Sequence, residues 1–210
     1  YREEHPFFRT HGINQFLKNN PVDLMVLEST YGNRDDSHIP FSDSVCMLEE
    51  LLVEGIKKGD VLMGSFSVDR TPVLLYMINQ IQKENPELAN VPVYLDGGLA
   101  IQALNIYKDN ESKFKCCWAD IVPKTLRIID GKTSRKNAQS DPTHKIIVAT
   151  NGQYQGGSIV SWVMKLLPDP NATFIQSGYI AHPMGKQIFD AMYGDVISYS
   201  GLQMKVMAKR

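Results

Sequence analysis

The chain is 210 residues long, 43% hydrophobic, with a formal net charge of −1. That is enough for one or two packed layers around a real core, and the overall charge does not advertise a polyanionic partner. The balance is uneven, because residues 1–107 carry 8 basic and 15 acidic side chains and residues 108–145 carry 9 and 5, so the middle is either a basic surface for phosphates or a solvated loop region.

In chain order, Val22–Leu27 is a continuous apolar run, suited to a strand covered on both faces. It ends on a carboxylate and a small polar turn, Glu28-Ser29-Thr30-Tyr31-Gly32. The spacing of Val45, Leu48, Leu52 and Ile56 predicts a helix capped by Ser42 or Ser44 and stopped by Gly59. Val61–Met63 reads as a short strand ending at Gly64-Ser65. Pro72 fits the first turn of the next helix, whose apolar positions are Leu75, Ile78 and Ile81 and which stops before Pro86. Val93–Leu95 is a strand ending at Asp96-Gly97-Gly98, and a helix runs from Leu99 to Tyr107. Residues 109–145 are the least regular, with Cys116-Cys117 in a partly buried strand and an exposed low-complexity stretch over Gly131–Asp141. Regularity returns with a strand over Lys145–Ala149, the loop Asn151–Gly157 and a helix around Ser158–Leu167. A strand at Thr173–Gln176, a helix near Met184–Met192 and strand-like pieces at Val196–Tyr199 and Gln203–Met207 complete the chain. Strands alternating with helices predict an α/β fold, a mostly parallel sheet flanked by helices on both faces.

Three cysteines without metal-type spacing argue against a disulfide framework or zinc site and fit a reduced, cytoplasmic setting. No stretch approaches the ~18 apolar residues of a membrane span. The opening Tyr1-Arg2-Glu3-Glu4-His5 has neither an initiator Met nor a signal-peptide core, and reads as the middle of a larger protein.

Four strands end in small, polar or glycine-rich turns: Glu28-Ser29-Thr30, Gly64-Ser65-Phe66-Ser67, Asp96-Gly97-Gly98 and Thr150-Asn151-Gly152. In a parallel sheet such turns share one edge with the helix N-termini, where backbone N–H groups can meet an anion. The row is a candidate track for a phosphate backbone, although each turn alone also has a purely conformational reading.

The segment Glu28-Ser29-Thr30-Tyr31-Gly32 closely resembles the E-S-T-Y-G signature of the β-CASP branch of the metallo-β-lactamase superfamily. Gly64–Arg70 resembles the family's proline/serine-Phe-Ala-x-Gly-Arg segment, and Val91–Ala100 its x-Pro-x-Tyr-x-Asp-Ser-Pro-Leu-Ala. Ile147–Gly157 resembles the strand leading into Ser-Gly-Met-Leu-x-Gly-Gly, and Ser177–Gly185 resembles Gly-Tyr-x-x-Glu-Gly-Thr-x-Gly. Five segments in the family's order cover nearly the whole chain. Departures mark a divergent branch: Gly97-Gly98 stands for Ser-Pro, Asp69 for Gly, Asn151 for Ser and His182-Pro183 for Glu-Gly.

The resemblance implies a Rossmann-like three-layer domain inserted within a metallo-β-lactamase domain, with residues 1–30 a segment of the latter and 31–210 the β-CASP domain. It implies a zinc-dependent nuclease, a ribonuclease or exonuclease, whose two zinc ions hydrolyse phosphodiester bonds. No H-x-H-x-D-H run occurs here, so that motif is expected before Tyr1, and the terminal histidine motifs after Arg210. This chain alone would hold no metal and be inactive. Glu28 would support a metal-ligating histidine outside the chain through a hydrogen bond, or else cap a turn. The resemblance also implies that His38, just after the Glu28-Ser29-Thr30-Tyr31-Gly32 segment, lines the active site, or else it is an ordinary surface residue.

The remaining candidates are substrate-binding: Ser29, Thr30, Tyr31, Ser65, Ser67, Arg70, Asn151, Gly156, Gly157, Tyr179 and His182. Arg70, at a helix start where a cation opposes the dipole, can grip a phosphate. Tyr31, Phe66 and Tyr179 can stack on bases of a single strand or pack between domains. His182 can touch a phosphate or bond its own backbone. The expected partners are single-stranded RNA, ahead of DNA, and the flanking metallo-β-lactamase domain. Two alternatives stay open: a non-catalytic scaffold relative in an RNA-processing complex, and an unrelated nucleotide-binding α/β domain, against which the chain has no G-x-x-x-x-G-K-[ST] or strand-linked G-x-G-x-x-G.

Overall fold

The computed structural model describes residues 5–8, 13–26, 29, 32–33 and 39–210. Two helices, α1 (Ile13–Asn19) and α2 (Phe41–Ile56), precede the alternation β1 (Val61–Gly64), α3 (Arg70–Glu84), β2 (Val93–Asp96), α4 (Gly98–Asp109). Then come α5 (Trp118–Ile121), β3 (Leu126–Ile128), α6 (Gly131–Ser140), β4 (Ile146–Ala149), α7 (Ile159–Leu166), β5 (Thr173–Gln176) and α8 (Pro183–Asp190). A hairpin of β6 (Val196–Tyr199) and β7 (Leu202–Lys205) closes the chain.

Five strands form one wholly parallel sheet in the order β3-β2-β4-β1-β5. The three inner strands read Val-Leu-Met-Gly, Val-Tyr-Leu-Asp and Ile-Ile-Val-Ala, buried at every position, because both faces are covered. Alternate residues feed two cores. Val61, Met63, Val93, Leu95, Ile146 and Val148 face α2, α3, α4 and α5. Leu62, Tyr94, Ile147, Ala149 and Phe174 face α6, α7 and α8. The α/β expectation therefore holds, helices on both faces included.

Neighbouring strands β1 and β4 send their following helices to opposite faces, α3 to one and α7 to the other. Their carboxyl ends thus flank a topological switch point, where open α/β sheets leave a crevice for ligands. Outside β5, the Lys209 backbone bonds to Ala172 and Phe174, which covers part of that edge. At the other end of the chain, fully buried Phe7 packs tilted against Tyr76 and edge-on against Tyr107 and Phe114.

Several expectations are corrected. Val22–Val26 forms no strand, and Leu24 and Val26 are 82% and 88% exposed; no strand among the described residues pairs with this run, and an apolar segment without a ladder does not bury itself. Leu27 lies outside the described residues. Cys116 and Cys117 are not in a strand; Cys117 precedes α5 and is exposed. Gly131–Asp141 is mostly exposed, as expected, but it is helix α6 rather than an irregular stretch. Its inward face is Ala138 with the polar anchors Arg135 and Gln139, so hydrophobic periodicity misses it. Neither Ser42 nor Ser44 caps α2, whose N-cap is Pro40; Ser44 Oγ instead donates to the Pro40 carbonyl at 3.3 Å.

Candidate nucleic-acid interface

The carboxyl ends of β1, β2, β4 and β5 lie side by side, since Gly64 pairs with both Ala149 and Gln176 while Asp96 pairs with Ala149. Three of the four predicted turns therefore meet at one edge, joined by the loop after β5; the Glu28-Ser29-Thr30 turn is described only at Ser29.

The β1 turn is tied by buried hydroxyls. Thr71 Oγ1 donates to the Phe66 carbonyl at 2.7 Å and lies 3.0 Å from Ser65 Oγ. This knot sets the entry to α3 and leaves Phe66 46% exposed at the rim. Beneath it, the Gly64 N–H donates to the Tyr154 hydroxyl at 3.0 Å, and Ser177 Oγ donates to the Gly64 carbonyl. Only glycine fits at 64, because a Cβ there would stand 2.6 Å from the Tyr154 ring. Tyr154 is buried, which pushes its phenol well above the ordinary range.

The β4 loop is closed by Ser158, whose hydroxyl donates to the carbonyls of Asp96 and Thr150. Gly157 takes φ +77°, which favours glycine. Gln153 links this loop to the one after β5: its amide donates to the Tyr179 carbonyl at 2.8 Å, and its oxygen accepts the N–H groups of Ala181 and His182 at 2.7 and 2.9 Å.

Asp96 ends β2 in the interior, 1% exposed. Arg135 of α6 donates to both its oxygens at 2.5 and 2.8 Å, and Trp162 of α7 adds a third hydrogen bond at 2.8 Å. Hydrogen bonding to Asp96 raises the Arg135 pKa further. One carboxylate thus joins two helices to the sheet edge.

The predicted site residues divide clearly. Glu28, Thr30, Tyr31 and His38 lie outside the described residues. Ser29 is exposed, in a turn closed by the Gly32 N–H on its carbonyl at 2.9 Å. Ser65 has no exposed surface, and its hydroxyl serves the turn. Ser67 is half-buried in the same turn. Arg70, the first residue of α3, is exposed and has no ion-pair partner among the described residues. Asn151 Oδ1 accepts the Gln153 N–H, and no heavy atom stands within 4 Å of a side chain built at Gly156. Tyr179 is 61% exposed. His182 N-caps α8, its Nδ1 accepting the Met184 N–H at 3.2 Å, the backbone-bonding alternative.

Sequence reasoning missed Gln153, Arg135 and Trp162. The last two were detectable in principle: a carboxylate ending a fully apolar strand needs partners when buried. Gln153 carried no such signal. Among the described residues, no three His, Cys, Asp or Glu side chains cluster to hold a metal ion. The described residues do not fit the two zinc ions, and no chemical step here runs through a metal. What the edge offers is an open turn at Gly156, a guanidinium with no ion-pair partner among the described residues and two exposed rings. Among the described residues, no helix is long and apolar enough to cross a membrane.

Residues 71–188 match the model of the Beta-Casp domain. An "RNase J-like protein" of Methanocaldococcus jannaschii is 29% identical, over 80% of this chain and 40% of the relative. "Endoribonuclease ysh1" of Schizosaccharomyces pombe is 28% identical over 85% of this chain and 24% of its own. "Transcription termination factor FttA" of Thermococcus kodakarensis is 25% identical, over 80% and 27%. The chain therefore spans well under half the length of these relatives.

Proposed function

Because the chain belongs to the Beta-Casp domain family, we propose that it supplies the RNA-holding edge of a phosphodiester-hydrolysing ribonuclease. The observation that carries this reading is the convergence of turns from four adjacent parallel strands at a switch point, with Arg70 exposed at a helix start, without an ion-pair partner among the described residues, and with Phe66 and Tyr179 exposed near it. A guanidinium supplies a charge-assisted contact to a phosphate, and aromatic rings hold bases by stacking without reading sequence. Together they suit a single strand. Relatives named RNase and endoribonuclease support RNA over DNA.

In this proposal zinc-dependent hydrolysis belongs to a metallo-β-lactamase domain flanking the chain, which takes up residues 1–30. Glu28 would buttress a histidine there, and His38 would line the cleft. The chain's own residues bind and orient the strand; the isolated chain is inactive, and the whole protein is cytoplasmic. Cleavage of a labelled single-stranded RNA, with zinc or manganese supplied, tests this by comparing the chain with the full-length protein that contains it. Activity confined to the longer protein is expected. Activity of the 210-residue chain would overturn the division of labour, and inactivity of both would favour a scaffold.

A further inference from the structure

A second feature abuts the same edge. Between α2 and α3 lies a groove of about 260 Å³, with Met47 and Leu51 on one wall, Val73 and Met77 on the other, and Met63 and Ile175 among its lining. Arg70, Gln176 and Ser177 stand at the end nearest the strand-end turns. Met47 and Leu51 are exposed, 55% and 39%, although they sit four apart on one helix face, a position that ordinarily packs. Its volume is below the ~300–1,000 Å³ of drug-sized pockets, which limits the occupant to about one ring system and its sugar.

Resting on the RNA reading above, we propose that this groove is a single-nucleotide subsite: it takes one base of the bound strand, with that nucleotide's phosphate on Arg70. The charge pattern selects the occupant. Arg70 is exposed at one end of the groove and has no ion-pair partner among the described residues, so a cation stands beside an apolar cleft, a pairing that a nucleotide matches with an anion and a flat ring together. Thioethers at Met47 and Met77 provide polarizable contacts to an aromatic edge. The polar donors at the mouth are few, and the lining is apolar, so the subsite holds a base without strong discrimination among the four.

The test is an NMR titration of the methyl-labelled methionines with adenosine 5′-monophosphate, with adenosine and inorganic phosphate in parallel. Saturable shifts at Met47 and Met77 with the nucleotide, weaker with either half, are expected. Arg70→Ala should weaken the nucleotide at least about tenfold and leave adenosine unchanged. Met47→Ser, at an exposed position, should weaken both. Methionine signals that ignore the nucleotide, or an Arg70→Ala variant that binds it normally, would overturn the subsite. If single-stranded RNA still shifts the 151–157 and 177–182 backbone signals in that event, only the subsite falls. If RNA shifts neither region, the RNA reading falls with it.

Discussion

Arg135 and Asp96, 39 residues apart, meet side-on with two hydrogen bonds of 2.5 and 2.8 Å at the carboxyl end of β2. The carboxylate is almost inaccessible and the guanidinium mostly covered, 2% and 21% exposed. Removing the cation would strand a buried charge that Trp162 alone answers. Arg135→Met should therefore destabilise the protein by about 3 kcal/mol, read as a lower urea midpoint. Asp96→Asn, which keeps an acceptor for Trp162 and removes the charge, should cost less. Equal losses would mean the ion pair is not what joins α6 to the sheet.

Gln153 bridges the loops after β4 and β5 with three hydrogen bonds. Gln153→Ala should leave global stability within about 1–3 kcal/mol of the parent, yet accelerate amide exchange at Ala181 and His182. RNA affinity should fall because the loops no longer hold a fixed spacing. Gln153→Glu should retain both backbone N–H bonds and lose only the donor to Tyr179. Unchanged exchange at 181–182 in the alanine variant would show that the loops are positioned by other contacts.

Gly64→Ala places a Cβ 2.6 Å from two carbons of the buried Tyr154 ring. Neither strand nor ring has room to give, so the substitution should cost about 1–3 kcal/mol. Gly156→Ala, which meets nothing within 4 Å, is the control and should be near neutral. Paired urea melts decide.

Burial raises the phenol pKa values of Tyr154 and Tyr199 above the ordinary value of about 10. A raised folded-state pKa contributes stability that is full below the unfolded value and lost as pH rises toward the folded one. Urea midpoints should hold up to about pH 9 and fall through pH 10–11. Tyr199→Phe should flatten part of that fall. A stability profile level through pH 11 would contradict it.

Arg70 should act as one phosphate contact. Arg70→Ala should reduce the slope of log K against log salt for single-stranded RNA by about 0.7, in fluorescence anisotropy across a salt series. An unchanged slope would remove Arg70 from the phosphate path.

The sheet was legible because its strands are short apolar runs ending in Gly, Ser, Asp or Asn, and the helices α2, α3, α4 and α7 carry regular apolar spacing. The edge followed from alternation alone: parallel strands bring Gly64, Asp96 and Ala149 to one side. What escaped was structure held by polar groups. Helix α6 turns Arg135 and Gln139 inward, β3 at the sheet edge keeps Ile128 43% exposed, and α5 is a single turn; none produces a hydrophobic period. The Val22–Val26 run misled in the opposite sense, since its composition reports a need for burial and not the presence of a partner. At the site, residue types pointed to Ser65 and His182, but hydroxyls and imidazoles serve turns and caps equally well, and their partners fixed those local roles.

The most direct test of the central claim, that the carboxyl edge of the sheet is an RNA interface, is photo-cross-linking of a single-stranded RNA to the protein with mass-spectrometric mapping of the adducts. Cross-links are expected at Phe66, Tyr179 and the 151–157 loop, competed by unlabelled RNA and absent from the amino edge around Lys58 and His144. Cross-links concentrated at that opposite edge, or on the β6–β7 hairpin, would contradict it.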